Sequence, residues 1–400
     1  MSSLKTLKDF DKLMHSAVPV KKRIVTALLN RQKPAPADTA VLQEHSRILK
    51  ALPGRDTLKQ LELSPGKKTE IDLAYEINEL DKDLILLEQG REALLNHLAK
   101  LHPGFGEETG RLTEKLKQFS RPNFISDRDG TVNNYCTRYS SSVQSVYNAF
   151  FLASYIKNSK SKGVILTSAP LMNIGLADIS VMPKGYFVFA GSKGREYLTA
   201  AGDVCNFPIP AAKEDKLKEL NQVLSELVKE EQYEKYAFTG SGLQFKFGQT
   251  TITRQDINKT IPSADSEQFL HKLQQIVKEI DPEEQYFRIE DTGLDVEIIL
   301  TVDNQGSSGL KDFDKGDGVL FLDKELELDI KEQGSLICGD TNSDLPMLQK
   351  CAQLNTQTAG VFVTTDEQLK ARVRNTAADT VCVTTPDVLV TALYQYNAAV

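Results

Sequence analysis

The chain has 400 residues, 40% hydrophobic and 26% charged, with a formal net charge of −7. These are globular values with room for two or three domains, and they exclude a disordered or fibrous chain. No apolar run approaches the roughly 18 residues of a membrane span, the opening MSSLKTLKDFDKLMHS carries charges throughout, and the five cysteines lack a CxxC pair; a soluble, unprocessed, cytoplasmic protein without a membrane partner is expected.

Up to Ser120 the chain holds 20 basic and 17 acidic residues, and beyond it 28 and 38. That shift predicts a boundary there and an all-helical N-terminal domain over 1–120. The stretch EINELDKDLILLEQGREALLNHLAKLH places Ile77, Leu80, Leu84, Leu87, Leu94 and Leu98 at helical steps before His102-Pro103-Gly104 stops it. Proline and glycine in KPAPAD, LPGRD and LSPGKK separate the earlier helices, so a hairpin or small bundle is expected. The leucine stripes read first as the core of that bundle, and second as a surface for self-association or a protein partner.

Beyond Ser120 the period changes. NFISD, GVILTSA, GYFVFAG, SLICGD, GVFVTT and TVCVTT are short apolar runs rich in β-branched residues, as strands buried on both faces would be. Helical patterns such as SSVQSVYNAFFLASYIK and SDLPMLQKCAQL alternate with them, which predicts a doubly wound parallel α/β sheet over 121–200 and 306–400. From 201 to 305 the alternation is interrupted. A helix with Leu217, Leu220, Leu224 and Leu227 on one stripe, the strand pair GLQFKFGQTTITRQ, a second helix SEQFLHKLQQIVKEI and the strand LDVEIIL predict an inserted α+β cap, a candidate substrate cover.

Four of the five histidines fall within the first 102 residues, which argues against a His-based zinc site or a Ser/His relay further on. The sequence lacks a Walker A motif, a GxSxG elbow and a basic aromatic groove, so no nucleic-acid partner is expected.

The chemistry is carried by FISDRDGTVNNY, where Asp127 and Asp129 stand at the carboxyl end of a predicted strand, the edge at which open α/β sheets bind ligands. Positions two apart point the same way, so both carboxyls face one pocket. Gly130 allows a sharp turn, and Thr131 is expected to fix it by a side-chain to backbone hydrogen bond. Downstream, SLICGDTNSDLPML ends another strand with Asp340, followed by Asp344 at the start of a helix. Such hard oxygen ligands suit Mg²⁺. Thr167 and Ser168 end the strand VILTSAP, and DFDKGDG supplies Lys315. A calcium-loop reading of DFDKGDG fails because Asp317 stands where an EF-hand needs glycine. Two carboxyls, a hydroxyl, an ammonium and a metal site are the parts of phosphoryl transfer through an aspartyl-phosphate.

In the order DxDGT, a strand ending in Thr or Ser, Lys, then GDxxxD, the chain from about Asn123 onward resembles the haloacid dehalogenase superfamily of phosphatases and phosphotransferases. The resemblance implies Asp127 as nucleophile, Asp129 as general acid and base, and Thr167 and Lys315 as phosphoryl clamps. It also implies Mg²⁺ held by Asp127, Asp129, Asp340 and Asp344. A narrower resemblance is to trehalose-6-phosphate phosphatases: FAGSKGREY is similar to their G-x-H-G-x-E turn with Lys193 in the histidine place, and LQFKFGQTTITR, DVEIIL and DFDKG are similar to their cap strands and KG run. Lys193, Lys246, Arg254 and Glu297 are thereby the implied sugar contacts. The helical N-terminal region resembles that of the nematode-type enzymes. TSAP replaces the Gly-Arg found after the hydroxyl in many relatives, leaving Thr167 and Ser168 both open as the clamp, and Ile252-Thr253-Arg254 replaces H-Y-R.

The resemblance implies a Mg²⁺-dependent phosphatase whose partner is a small-molecule sugar phosphate, trehalose 6-phosphate first. Glucosylglycerol, sucrose and mannosylglycerate phosphates are the alternatives. A helical scaffold with a vestigial core is the alternative of another class.

Overall fold

The computed structural model describes residues 4–64, 66–118, 123–256, 259–303 and 310–396. The N-terminal region comprises α1 (Leu7–Leu29), α2 (Pro36–Lys50), the antiparallel meander β1 (Gly54–Arg55), β2 (Leu58–Ser64) and β3 (Lys67–Asp72), then α3 (Ala74–Gln89), α4 (Arg91–Leu101) and α5 (Phe105–Leu116). Thr6 starts α1 with a capping box, its hydroxyl accepting from Asp9 N at 3.1 Å while the Asp9 carboxylate accepts from Thr6 N at 3.2 Å. The meander corrects the all-helical expectation. In it Lys59, Leu61 and Ile71 turn inward while Leu58 stays exposed. So short a period-two pattern is hard to tell from the spacers between helices.

The first part of the main sheet contains β4 (Asn123–Ser126), α6 (Val146–Ser159), β5 (Gly163–Leu166), α7 (Leu176–Ile179), β6 (Phe187–Gly191), β7 (Glu196–Leu198) and β8 (Val204–Asn206). The inserted segment follows as α8 (Ala211–Leu227), α9 (Glu234–Phe238), β9 (Leu243–Lys246), β10 (Gln249–Thr253), α10 (Ser263–Ile280), β11 (Phe287–Asp291), β12 (Asp295–Asp303) and β13 (Leu310–Asp312). The chain returns through α11 (Lys315–Leu326), α12 (Ile330–Gln333), β14 (Ser335–Gly339), α13 (Leu345–Leu354), β15 (Ala359–Val363), α14 (Glu367–Thr376), β16 (Asp379–Val383) and α15 (Pro386–Tyr396).

The main sheet runs β16-β15-β14-β4-β5-β6-β7-β8, parallel from β16 to β6 and antiparallel at β7 and β8. Helices cover both faces, so the central strands β4, β5, β14 and β15 are buried throughout. On one face α1, α3, α6 and α15 share a single apolar cluster with the sheet, so the N-terminal region packs onto the core; α11, α13 and α14 cover the other. The cap sheet, β11-β12-β10-β9 with β13 beside β12, rests on α8 and α10 through its own cluster.

The expected divisions at 120/121 and 305/306 lie outside the described residues. β13, beyond 305, pairs with β12, so the cap sheet continues up to the entrance of α11.

Candidate active site

Register fixes which side chains meet. Ser126 is paired with Cys338 on one side and Ile165 on the other, so Asp127, Asp340 and Thr167 leave their strands at the same edge of the sheet. After β4 the chain turns through Gly130, at φ +83° and with its N–H donating to Asn133 O at 2.7 Å. A Cβ at this position would stand 2.2 Å from Asp340 Oδ2, so glycine is required by space as well as by conformation. The Thr131 hydroxyl is 3.3 Å from Asp127 Oδ2 and 3.1 Å from Asp340 Oδ1. It joins the two carboxylates instead of making the backbone bond expected of it, because the turn brings β14's end within its reach.

Lys315 opens α11, whose N-cap Asp314 accepts from Asp317 N at 3.0 Å. Its ammonium lies 2.6 Å from Asp127 Oδ1 and 2.6 Å from Asp344 Oδ1. The second oxygen of Asp344 accepts from the backbone N–H groups of Asp340 and Thr341, each at 3.0 Å, which fixes the loop bearing Asp340. Close approach of α11 depends on Gly318, where a Cβ would stand 2.0 Å from Lys193 O.

Asp127, Arg128, Lys315 and Asp344 are all buried, as is most of Asp340. Burial raises the Asp127 carboxyl to about 7 against the pull of Lys315, with Asp344 adding to the rise. Burial and then repulsion from Asp127 and Asp344 raise Asp340 to about 8. Burial would raise Asp344 too, but Lys315 and the backbone donors hold it below the usual range. Burial would lower the Lys315 ammonium, but Asp127 and Asp344 raise it. Charge at this edge is thus under-neutralised. Oxygens of Asp127, Asp340 and Asp344 lie within 4.8 Å of one another, the arrangement among the described residues that fits one hard cation. Asp129 is not in that group. Its carboxylate bonds the Arg128 guanidinium instead.

Asp127, Asp129, Thr167, Ser168, Lys315 and Asp340 border a cavity of about 360 Å³, and the cap closes its far side with Lys246 and Glu297. Thr167 is buried while Ser168 is half-buried, and both residues border this cavity. Lys193 stands behind Glu297, with Nζ 3.0 Å from Oε2, and Lys246 Nζ is 4.0 Å from Oε1. Burial would raise Glu297, but the two ammonium groups keep it below the usual range; burial lowers Lys246, with Glu297 opposing.

Arg254 departs from expectation. Its guanidinium forms a fork with Asp291, at 2.7 and 3.0 Å, and also donates to Ser266 Oγ, away from the cavity border. Gln255, the next residue along, borders the cavity instead, with Gln244 and Asp295. Neighbouring residues of an extended chain point to opposite sides, so Gln255 faces inward where Arg254 does not.

Sequence reasoning also missed Arg128 and Tyr135. Arg128 lies between the two aspartates and, by strand alternation, points into the protein. Tyr135 borders the cavity and donates to Asp340 Oδ2 at 2.5 Å. Their positions in FISDRDGTVNNY were visible, but their partners are on other segments.

A strand-end acidic cluster beneath an inserted cap, on a doubly wound sheet, defines a protein of haloacid dehalogenase class. Residues 124–389 match the trehalose-6-phosphate phosphatase C-terminal family, and residues 6–102 match the N-terminal helical bundle domain of trehalose-6-phosphate phosphatase; the chain belongs to this family. It is 31% identical over 394 residues to alpha,alpha-trehalose-phosphate synthase (UDP-forming) 2 of Aphelenchoides avenae, covering 93% of this chain and 30% of that protein. It is 27% identical over 425 residues to the trehalose-phosphatase of Caenorhabditis briggsae, covering 98% and 96%. The chain spans about a third of the length of the curated synthases that it matches. Among solved structures it is similar to the C-terminal domain of the C. albicans trehalose-6-phosphate phosphatase, with 14% identity, a TM-score of 0.48 and coverage of 72% and 96%.

Proposed function

We propose that this chain is a Mg²⁺-dependent phosphoric monoester hydrolase that converts trehalose 6-phosphate to trehalose and phosphate. The observation that carries the reading is the Asp127–Lys315–Asp344 chain beside Asp340, at the mouth of a cavity whose opposite wall is the Lys246–Glu297 pair. Lys315 bonds Oδ1 of Asp127, and Oδ2, which the Thr131 hydroxyl reaches at 3.3 Å, attacks phosphorus in line. Asp129 protonates the departing sugar oxygen, and then takes a proton from the water that cleaves the aspartyl-phosphate. Lys315, with Thr167 or Ser168, holds the phosphoryl oxygens.

Asp127 and Asp340 would hold Mg²⁺, with Asp344 fixing the loop behind them. When bound, the ion supplies positive charge that offsets the crowded carboxylates and the substrate dianion.

The substrate reading draws on family membership and on space. A second cavity of about 440 Å³ adjoins the first, with Tyr139, Gly240, Ser241 and Gln244 bordering both. A disaccharide phosphate uses both spaces; a hexose phosphate fills one. Glu297 and Lys246 bind hydroxyls, Lys193 keeps Glu297 in place, and Arg254 supports the cap through Asp291.

The test is phosphate release by the purified protein with Mg²⁺ on trehalose 6-phosphate, glucose 6-phosphate, sucrose 6-phosphate and glucosylglycerol phosphate, beside Asp127→Asn. Preference for trehalose 6-phosphate, abolished in the variant, is expected. Preference for another ester would keep the chemistry and move the substrate. Silence on all four by folded, metal-loaded protein would overturn both.

A further inference from the structure

We infer that the N-terminal helices position the acid/base group: Tyr75 of α3 acts on Asp129 through a buried hydrogen-bond relay, with Arg128 as its last member. The inference rests on the acid/base role proposed for Asp129.

Between the catalytic turn and α6, residues 131–145 form no strand and no α-helix beyond a short 3₁₀ turn, Tyr139–Ser141. Such a segment cannot fix its own shape, because few of its backbone groups are paired within it. The N-terminal region holds it from outside. Asp11 of α1 pairs with Arg138 at 3.0 Å, Lys21 of α1 donates to Gln144 O at 3.3 Å, and Glu79 of α3 accepts from Asn134 Nδ2 at 3.1 Å.

Tyr75 makes the contact that leads to the catalytic turn. Its hydroxyl lies 3.1 Å from Asn133 Oδ1 and 3.1 Å from Val143 O, sharing one hydrogen between them. Asn133 accepts the Gly130 N–H through its backbone carbonyl, at 2.7 Å, and its Nδ2 reaches Ser142 Oγ at 3.4 Å. Ser142 Oγ is 3.4 Å from Asp129 Oδ1 and accepts from Arg128 Nη1 at 3.1 Å. Arg128 also donates to Ser142 O and to the Asp129 carboxylate. Tyr75, Asn133, Ser142 and Arg128 are each no more than 6% exposed, so the relay is shielded from bulk water up to Asp129, which borders the cavity.

A buried guanidinium is costly unless fully bonded, and here its acceptors are Asp129 and the hydroxyl and carbonyl of Ser142 in the externally held loop. Moving the loop therefore moves Arg128 and, with it, Asp129. An acid/base group must stay within hydrogen-bond reach of the oxygen it serves. Tyr75 and Arg128 are positioning residues in this scheme, since neither borders the cavity.

Tyr75→Phe removes one oxygen and no volume. Single-turnover phosphoryl transfer separates a positioning role from a structural one, since a sugar alkoxide needs a proton to leave and p-nitrophenolate does not. The variant is expected to lose about tenfold on trehalose 6-phosphate with KM unchanged, and to stay within about twofold on p-nitrophenyl phosphate. In an Asp129→Asn background, Tyr75→Phe should add nothing. Ser142→Ala, which breaks the same relay, should repeat the pattern if Tyr75→Phe does not fold. Equal losses on both esters, or no loss, overturn the inference while Asp129→Asn still shows the selective defect. If Asp129→Asn itself transfers phosphate normally from the sugar ester, the acid/base reading fails first and takes the relay with it.

Discussion

The Lys315 ammonium stands 2.6 Å from Asp127, between it and Asp344, and all three side chains are buried. Removing it leaves two buried anions facing each other. Lys315→Met is expected to cost about 3–5 kcal/mol in urea unfolding of the chelator-treated protein. Turnover should fall by at least ~10²-fold, because a donor to the transferring oxygens is lost. Unchanged stability would mean that Asp127 is neutral in the resting protein.

The cation fit makes a prediction that needs no turnover. Mg²⁺ should raise the melting temperature, since it binds the folded cluster and not the unfolded chain. Asp340→Ala should abolish that rise, and chelation should return the wild type to its metal-free value. A shift that survives in Asp340→Ala would move the ion elsewhere.

Glu297 accepts from Lys193 and lies near Lys246 on the cap wall. Glu297→Gln keeps the shape and removes the charge that holds both ammonium groups. KM for the sugar ester should rise about tenfold, the worth of one charged hydrogen bond, while p-nitrophenyl phosphate is unaffected. A parallel loss on both esters would show that the pair supports the fold and not the sugar.

Glu76 of α3 is buried with Oε2 unpartnered, and burial raises its carboxyl from 4.5 to about 7. The folded protein therefore holds this proton more tightly than the unfolded chain. Its stabilising contribution is fully present below the ordinary carboxylate range and is lost as the pH rises through about 7. The loss is roughly 3 kcal/mol. Asp83, raised to about 6 by burial, has the same sign. Urea midpoints of wild type and Glu76→Gln should approach each other or cross as the pH rises from about 5 to 8, with the wild type falling more steeply. Parallel curves would place the proton on another group.

What the sequence determined by itself was local: the strand-ending aspartates, the Lys315 run, the helical stripes of α3 and α4, and the switch from helical to strand periods past Ser120. These are legible because a period of two or 3.6 assigns each side chain a face, and because a Gly after two acids signals a turn whatever surrounds it. The meander at 54–72 escaped, because strands this short set no period that distinguishes them from spacers between helices. Tertiary structure decided the partners. Arg254 was expected to face the sugar and instead pairs with Asp291 on β11; Lys193 lies behind Glu297, 104 positions away. Thr131 joins two carboxylates because β14 lies beside β4. Arg128 acquires a role only when α1 and α3 fix the loop opposite it. Periodicity tells a side chain which way to point, but sheet register and helix docking choose what it meets there, and those are set by contacts far apart in the chain.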